Sequence, residues 1–129
     1  ARMVGEEGRV IAADLQPQML ERVRRRAARR GLENRIRLHR CEPTRIGIRE
    51  QVNFALAFWM VHEVPDAQRF LAELREILAP GGRFLLVEPK VHVSRTDFRR
   101  TLQIAFRERL CLLGEVSVAL SRAALLEPR

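Results

Sequence analysis

Asp14, the pair His62 and Glu63, and Trp59 are the residues of this chain whose types and positions suit chemistry. Asp14 closes the apolar run Val10-Ile11-Ala12-Ala13, just before a helix-like stretch. In nucleotide-binding α/β sheets, a carboxylate at that strand end accepts hydrogen bonds from the two vicinal hydroxyls of a ribose. A local reading competes, because an acidic side chain near the positive end of the next helix is favourable by up to about 1 kcal/mol. His62 and Glu63 directly follow a second apolar run, Val52-Asn53-Phe54-Ala55-Leu56-Ala57-Phe58-Trp59. Either can take a proton, imidazole being the better matched to neutral pH; the plainer alternative is that His62 orders a loop and Glu63 faces solvent. Trp59 can stack on a ligand or cover a cation, or simply pack.

The elements that position these groups follow from apolar spacing. After the strand that ends at Asp14, Pro17 sits at the start of a helix reaching about Arg30, with Leu20, Val23 and Ala27 on one stripe and Gly31 as its C-terminal cap. Its arginines spread around the remainder and read as a solvated face. Ile36-Arg37-Leu38-His39 alternates as a strand near one edge. The run 52–59 is almost wholly apolar, as expected of a central parallel strand covered on both faces. Asp66 can cap a helix carrying Ala67, Phe70, Leu71, Leu74, Ile77 and Leu78; Pro80-Gly81-Gly82 stops it, and Arg83-Phe84-Leu85-Leu86-Val87-Glu88 is another buried strand. Ser94 with Asp97 forms a capping box for a last helix, with Phe98, Leu102, Ala105 and Phe106 on its buried stripe. A hairpin is expected at the end, with arms 110–113 and 116–125 and a two-residue turn at Gly114-Glu115. Strands alternating with helices predict a three-layer α/β fold with a mainly parallel sheet and a terminal antiparallel hairpin.

Length and composition fit this picture. A chain of 129 residues, 47% hydrophobic and 31% charged, is expected to build one soluble domain. No apolar stretch is long enough to span a membrane and no leader pattern opens the chain, which points to the cytoplasm. Cys41 and Cys111 lack the spacing of a metal cluster or disulfide framework, and His39 and His92 lack partners for a metal. The net charge of +8 is almost all arginine, Lys90 being the one lysine. It reads as charge spread over the surface, so nucleic acid is not the expected partner.

The segments Val10-Ile11-Ala12-Ala13-Asp14 with Pro17-Gln18-Met19-Leu20, Phe58-Trp59-Met60-Val61-His62-Glu63-Val64-Pro65-Asp66, and Leu78-Ala79-Pro80-Gly81-Gly82-Arg83-Phe84 stand in that order over nearly the whole chain. In order and spacing they resemble the class I, seven-strand, Rossmann-like methyltransferases that use S-adenosylmethionine, particularly the branch acting on small molecules. The resemblance implies that Asp14 holds the donor's ribose and Leu15 borders its adenine. Glu42 stands where the family has an aspartate approaching the adenine amino group. Trp59, Met60 and His62 would face the donor's methionine portion and a small-molecule acceptor, with His62 or Glu63 as base.

Two departures accompany it. Asn53 replaces an aspartate common near the start of the fourth strand. The family's first strand and its Gly-x-Gly-x-Gly turn would precede Ala1, with Ala1-Arg2-Met3-Val4 as the end of the helix after that turn. On this basis residues 1–129 are expected to be the later part of a longer protein or a shortened homologue. The strands ending at Asp14 and near Trp59 would then either pair directly or accept a second copy through dimerisation or strand swapping. The alternative function is a non-catalytic interaction or regulatory module that kept the scaffold.

Overall fold

In the computed structural model, which describes residues 1–129, the expected strands and helices form, but in two separate sheets. The chain divides into two compact units, Ala1–Gly47 and Ile48–Arg129. In the first, a single 3-10 turn (Arg2–Val4) precedes β1 (Val10–Asp14), α1 (Pro17–Arg29) and β2 (Ile36–Arg40). β1 and β2 pair in parallel from Val10 opposite Ile36 to Asp14 opposite Arg40. α1 packs on both strands through the expected stripe, Leu20 and Ala27 being buried. Gly31 ends α1 with φ +63°, a left-handed conformation that glycine adopts without penalty. On the outer face Glu21 accepts hydrogen bonds from Arg24 at 2.8 Å and Arg25 at 3.0 Å.

The second unit contains β3 (Val52–Phe58), α2 (Ala67–Ile77), β4 (Leu78–Pro89), α3 (Arg95–Arg107), β5 (Leu110–Val116) and β6 (Ser121–Pro128). Its sheet order is β3-β4-β6-β5, with β3 parallel to β4 and the other pairs antiparallel. Both helix starts are capped as the sequence predicts. Asp66 accepts from the Arg69 amide at 3.0 Å, and Ser94 accepts from the Asp97 amide at 3.1 Å while donating to its carboxylate at 2.7 Å. Register builds the core: Phe84 lies opposite Leu126 and Leu86 opposite Ala124, while Ala55 and Ala57 of β3 stand beside the same two large residues. Phe84 and Leu86 are fully buried, as are Leu71 of α2, Ala105 of α3 and Leu110 of β5.

Several expectations are corrected. β3 is an edge strand of its sheet rather than a central one, and only one face is covered: Ala57 is buried, whereas Phe54, Leu56 and Phe58, on the opposite face, are about half exposed. The apolar run reports composition, and period two then divides it between a covered face and an open one. β1 pairs only with β2 and β3 only with β4, so the direct pairing of β1 with β3 does not occur. The last helical residue of α2 is Ile77, since Leu78 already pairs with Val52. The terminal hairpin forms, but its turn lies at 117–120; Gly114 stays within β5 at a register shift opposite Leu125 and Leu126. An isolated glycine inside a strand marks a bulge as readily as a turn.

Two measurements check this packing. Leu86→Ala removes a fully buried side chain and is expected to cost about 2–5 kcal/mol in denaturant unfolding. Leu56→Ala, on the open face, is expected to cost under about 1 kcal/mol; equal losses would contradict the one-sided burial. The hydrogen bonds from Arg24 and then Arg25 lower the Glu21 carboxyl from 4.5 to about 2. A depressed folded value means that its stabilising contribution is present above 4.5 and disappears as pH falls through 2. Carboxyl-carbon NMR titration should show that midpoint at low salt and a higher one at about 1 M salt, where exposed pairs are screened.

Candidate functional site

Chain direction in the parallel pair puts the carboxyl ends of β1 and β2 side by side. Asp14 is level with Arg40 and the Cys41 amide donates to the Asp14 carbonyl at 2.9 Å, so Glu42 follows two residues beyond the level of Asp14. Glu42 is itself held in a tight turn by paired backbone bonds with Arg45, and His39 Nε2 lies 2.7 Å from the Ile46 carbonyl where the loop returns. Asp14 Oδ1 accepts from the Gln16 amide at 2.8 Å, while Oδ2 has no hydrogen-bond or ion-pair partner within the chain. That bond goes to the amide of Gln16, the residue before α1, so Asp14 closes a local turn and does not cap the helix itself. Leu15, 46% exposed, presents an apolar surface immediately after it. A carboxylate oxygen available to hydroxyls, an exposed aliphatic side chain and a second acid at the neighbouring strand end fit the nucleoside half of a nucleotide-like ligand.

In the second unit the chain leaves β3 through Trp59, whose φ of +57° is unusual for a bulky residue. Its amide donates to the Val87 carbonyl at 2.7 Å, and its indole N–H donates to Ser121 Oγ at 2.9 Å. The ring stacks on Phe58 with centroids 5.2 Å apart. Left-handed backbone costs such a residue on the order of 1–3 kcal/mol, and these fixed partners are what hold it there. Met60 follows as the N-cap of a 3-10 turn, Val61–Glu63.

Glu88 decides the geometry of that turn. The β4 side chains alternate, so Glu88 continues the buried row of Phe84 and Leu86, and it is only 2% exposed. Its Oε1 accepts from the Val61 amide at 3.0 Å, and its Oε2 accepts from the His62 amide at 3.0 Å. Oε2 also lies 2.7 Å from His62 Nδ1. An ionised carboxylate accepts all three hydrogen bonds, which assigns the proton of neutral His62 to Nδ1 and leaves the Nε2 lone pair open. The His62 side chain is 23% exposed; Nε2 stands 3.8 Å from Glu63 Oε1, beyond hydrogen-bond distance, and Glu63 is 75% exposed. The His92 ring lies nearly parallel to that of His62 at 6.0 Å.

Within each unit the residues expected from the sequence come together: Asp14, Leu15 and Glu42 in one, Trp59, Met60, His62 and Glu63 in the other. Two partners were missed. Glu88 reads in sequence only as the end of a buried strand, although an acid closing such a strand is itself a signal, because burying it requires donors. Ser121 carries no comparable signal. No group of three or more His, Cys, Asp and Glu side chains is arranged to hold a metal, and no helix is long and apolar enough to cross a membrane.

Residues 1–86 match the methyltransferase domain family. The chain is 31% identical over 84 residues to an arsenite methyltransferase of Halobacterium salinarum, covering 64% of this chain and 21% of that protein. It is 30% identical over 90 residues to a ubiquinone/menaquinone biosynthesis C-methyltransferase of Marinomonas, covering 68% of this chain and 36% of that one. It thus spans about a fifth to a third of the length of these curated relatives. Among solved structures, a SAM dependent methyltransferase from Aquifex aeolicus superposes with a TM-score of 0.83 at 20% identity, over 97% of this chain and 71% of that one. At that identity the likeness establishes a Rossmann-like α/β methyltransferase fold. With the family matched over two thirds of its residues, the chain belongs to the methyltransferase domain family.

Proposed function

We propose that this chain takes part in methyl transfer from S-adenosylmethionine to a small-molecule acceptor. The observation that carries the reading is Asp14, a carboxylate at the end of a parallel strand with one oxygen held by Gln16 and the other open. In this reading Asp14 binds the ribose hydroxyls, Leu15 lies against the adenine, and Glu42 approaches the adenine amino group. Trp59 and Met60, where the chain leaves β3, face the methionine portion, in keeping with ligand binding at the carboxyl ends of strands. His62, or Glu63 beside it, receives a proton from the acceptor. The bound donor supplies an electrophilic methyl group on a positively charged sulfur. The protein's part in such a displacement is to align the partners and exclude water. We place this activity in the cytoplasm, consistent with Cys41 and Cys111 being in no disulfide bond.

Calorimetric titration with S-adenosylhomocysteine tests the reading. Saturable one-to-one binding is expected. Asp14→Asn should weaken it about 10- to 150-fold, the equivalent of about 1.5–3 kcal/mol for hydrogen bonds to a charged group. Absence of saturable heat would favour the alternative, a non-catalytic module that has kept the scaffold. Equal affinity in Asp14→Asn would remove Asp14 from the donor site.

A further inference from the structure

A carboxylate inside an apolar core is costly unless its lone pairs are filled. Glu88 is the one charged side chain buried in this chain, and it lies in line with Phe84 and Leu86. Fixing a 3-10 turn needs only acceptors for its first amides, which a serine or an aspartate closer to the turn would supply. Glu88 does more, since Oε2 takes both the His62 amide and His62 Nδ1. The backbone and the ring of one residue are therefore held by a single oxygen. Ring orientation and proton position are set together.

We infer that Glu88 is a positioning residue that reserves Nε2 of His62 as the proton acceptor for methyl transfer, an inference that rests on the proposed function. The acceptor is then a molecule whose attacking atom carries a proton it must lose. As that atom bonds to the methyl carbon, the carbon–sulfur bond breaks with its electron pair going to sulfur, and the proton passes to Nε2. The positive charge lost by the sulfonium ends on an imidazolium ring whose Nδ1 faces the Glu88 carboxylate. The charge is conserved and finishes beside its counter-ion. Glu63, 3.8 Å from Nε2, lies beside the proton's new position. The His92 ring lies nearly parallel to it, with centroids 6.0 Å apart.

Long-range proton–nitrogen NMR of the nitrogen-labelled full chain, at a pH where imidazoles are neutral, reads the tautomer directly. His62→Gln assigns the signal among the three histidines. The wild-type ring is expected to be protonated at Nδ1 with an unprotonated Nε2. Glu88→Leu, which removes both oxygens, should move the proton to Nε2, the form favoured by imidazole in water. A wild-type ring protonated at Nε2 overturns the inference, and so does an Nδ1 proton that survives in Glu88→Leu. The wild-type measurement decides the matter even if that variant fails to fold. The tautomer needs no donor, whereas the S-adenosylhomocysteine titration does not read His62, so failure of one is distinguishable from failure of the other.

Discussion

The buried carboxylate of Glu88 is the interaction on which the second unit depends. It occupies a position where alternation along β4 calls for an apolar residue, and it is tolerated because two backbone N–H groups point at it and His62 Nδ1 lies 2.7 Å from it. Removing any one donor would leave an acceptor wanting in a region of low dielectric, where unmet polar groups are most expensive. The consequence is local rigidity. The chain emerging from β3 cannot take an arbitrary path, because Val61 and His62 must present their amides to β4. The same demand explains why Trp59 holds a left-handed backbone: the chain has to turn immediately after the strand, and the Val87 carbonyl and Ser121 hydroxyl fasten it on both sides of that turn.

A different logic governs the first unit. Its two strands carry acids at adjacent carboxyl ends, and nothing in the unit neutralises the second oxygen of Asp14. Parallel pairing brings this about, since it places both strand ends together, which an antiparallel pair would separate. The arginines of α1 stand apart from that chemistry. Arg24 and Arg25 pair with Glu21, and the other arginines are exposed, away from the buried stripe of Leu20 and Ala27.

Much of the fold was legible from sequence, where the information is local. Leu20 and Ala27 recur at helical spacing because one face of α1 must be apolar. Asp66 and Ser94 carry short oxygens just ahead of apolar-periodic runs, and both cap as expected. What misled was composition without geometry. Eight nearly unbroken apolar residues suggested a strand covered on both faces, yet β3 has one neighbouring strand and leaves Phe54, Leu56 and Phe58 open. Gly114 suggested a turn for the same reason, since a glycine signals freedom without saying whether a turn or a bulge uses it.

The candidate site divides along the same line. Sequence alone determined which residues stand at strand ends, Asp14 after β1 and Trp59 to Glu63 after β3, because strand length and the breaks around it are encoded nearby. It also singled out His62 and Glu63 as the groups there able to take a proton. Tertiary structure alone decided which nitrogen of His62 stays open, because the answer lies with Glu88, 26 positions away in sequence and adjacent only through the pairing of β3 with β4. Trp59 and Ser121 are 62 positions apart and meet through the antiparallel return of β6. Proton placement and backbone strain are properties of such contacts, and they exist only once the strands have found their register.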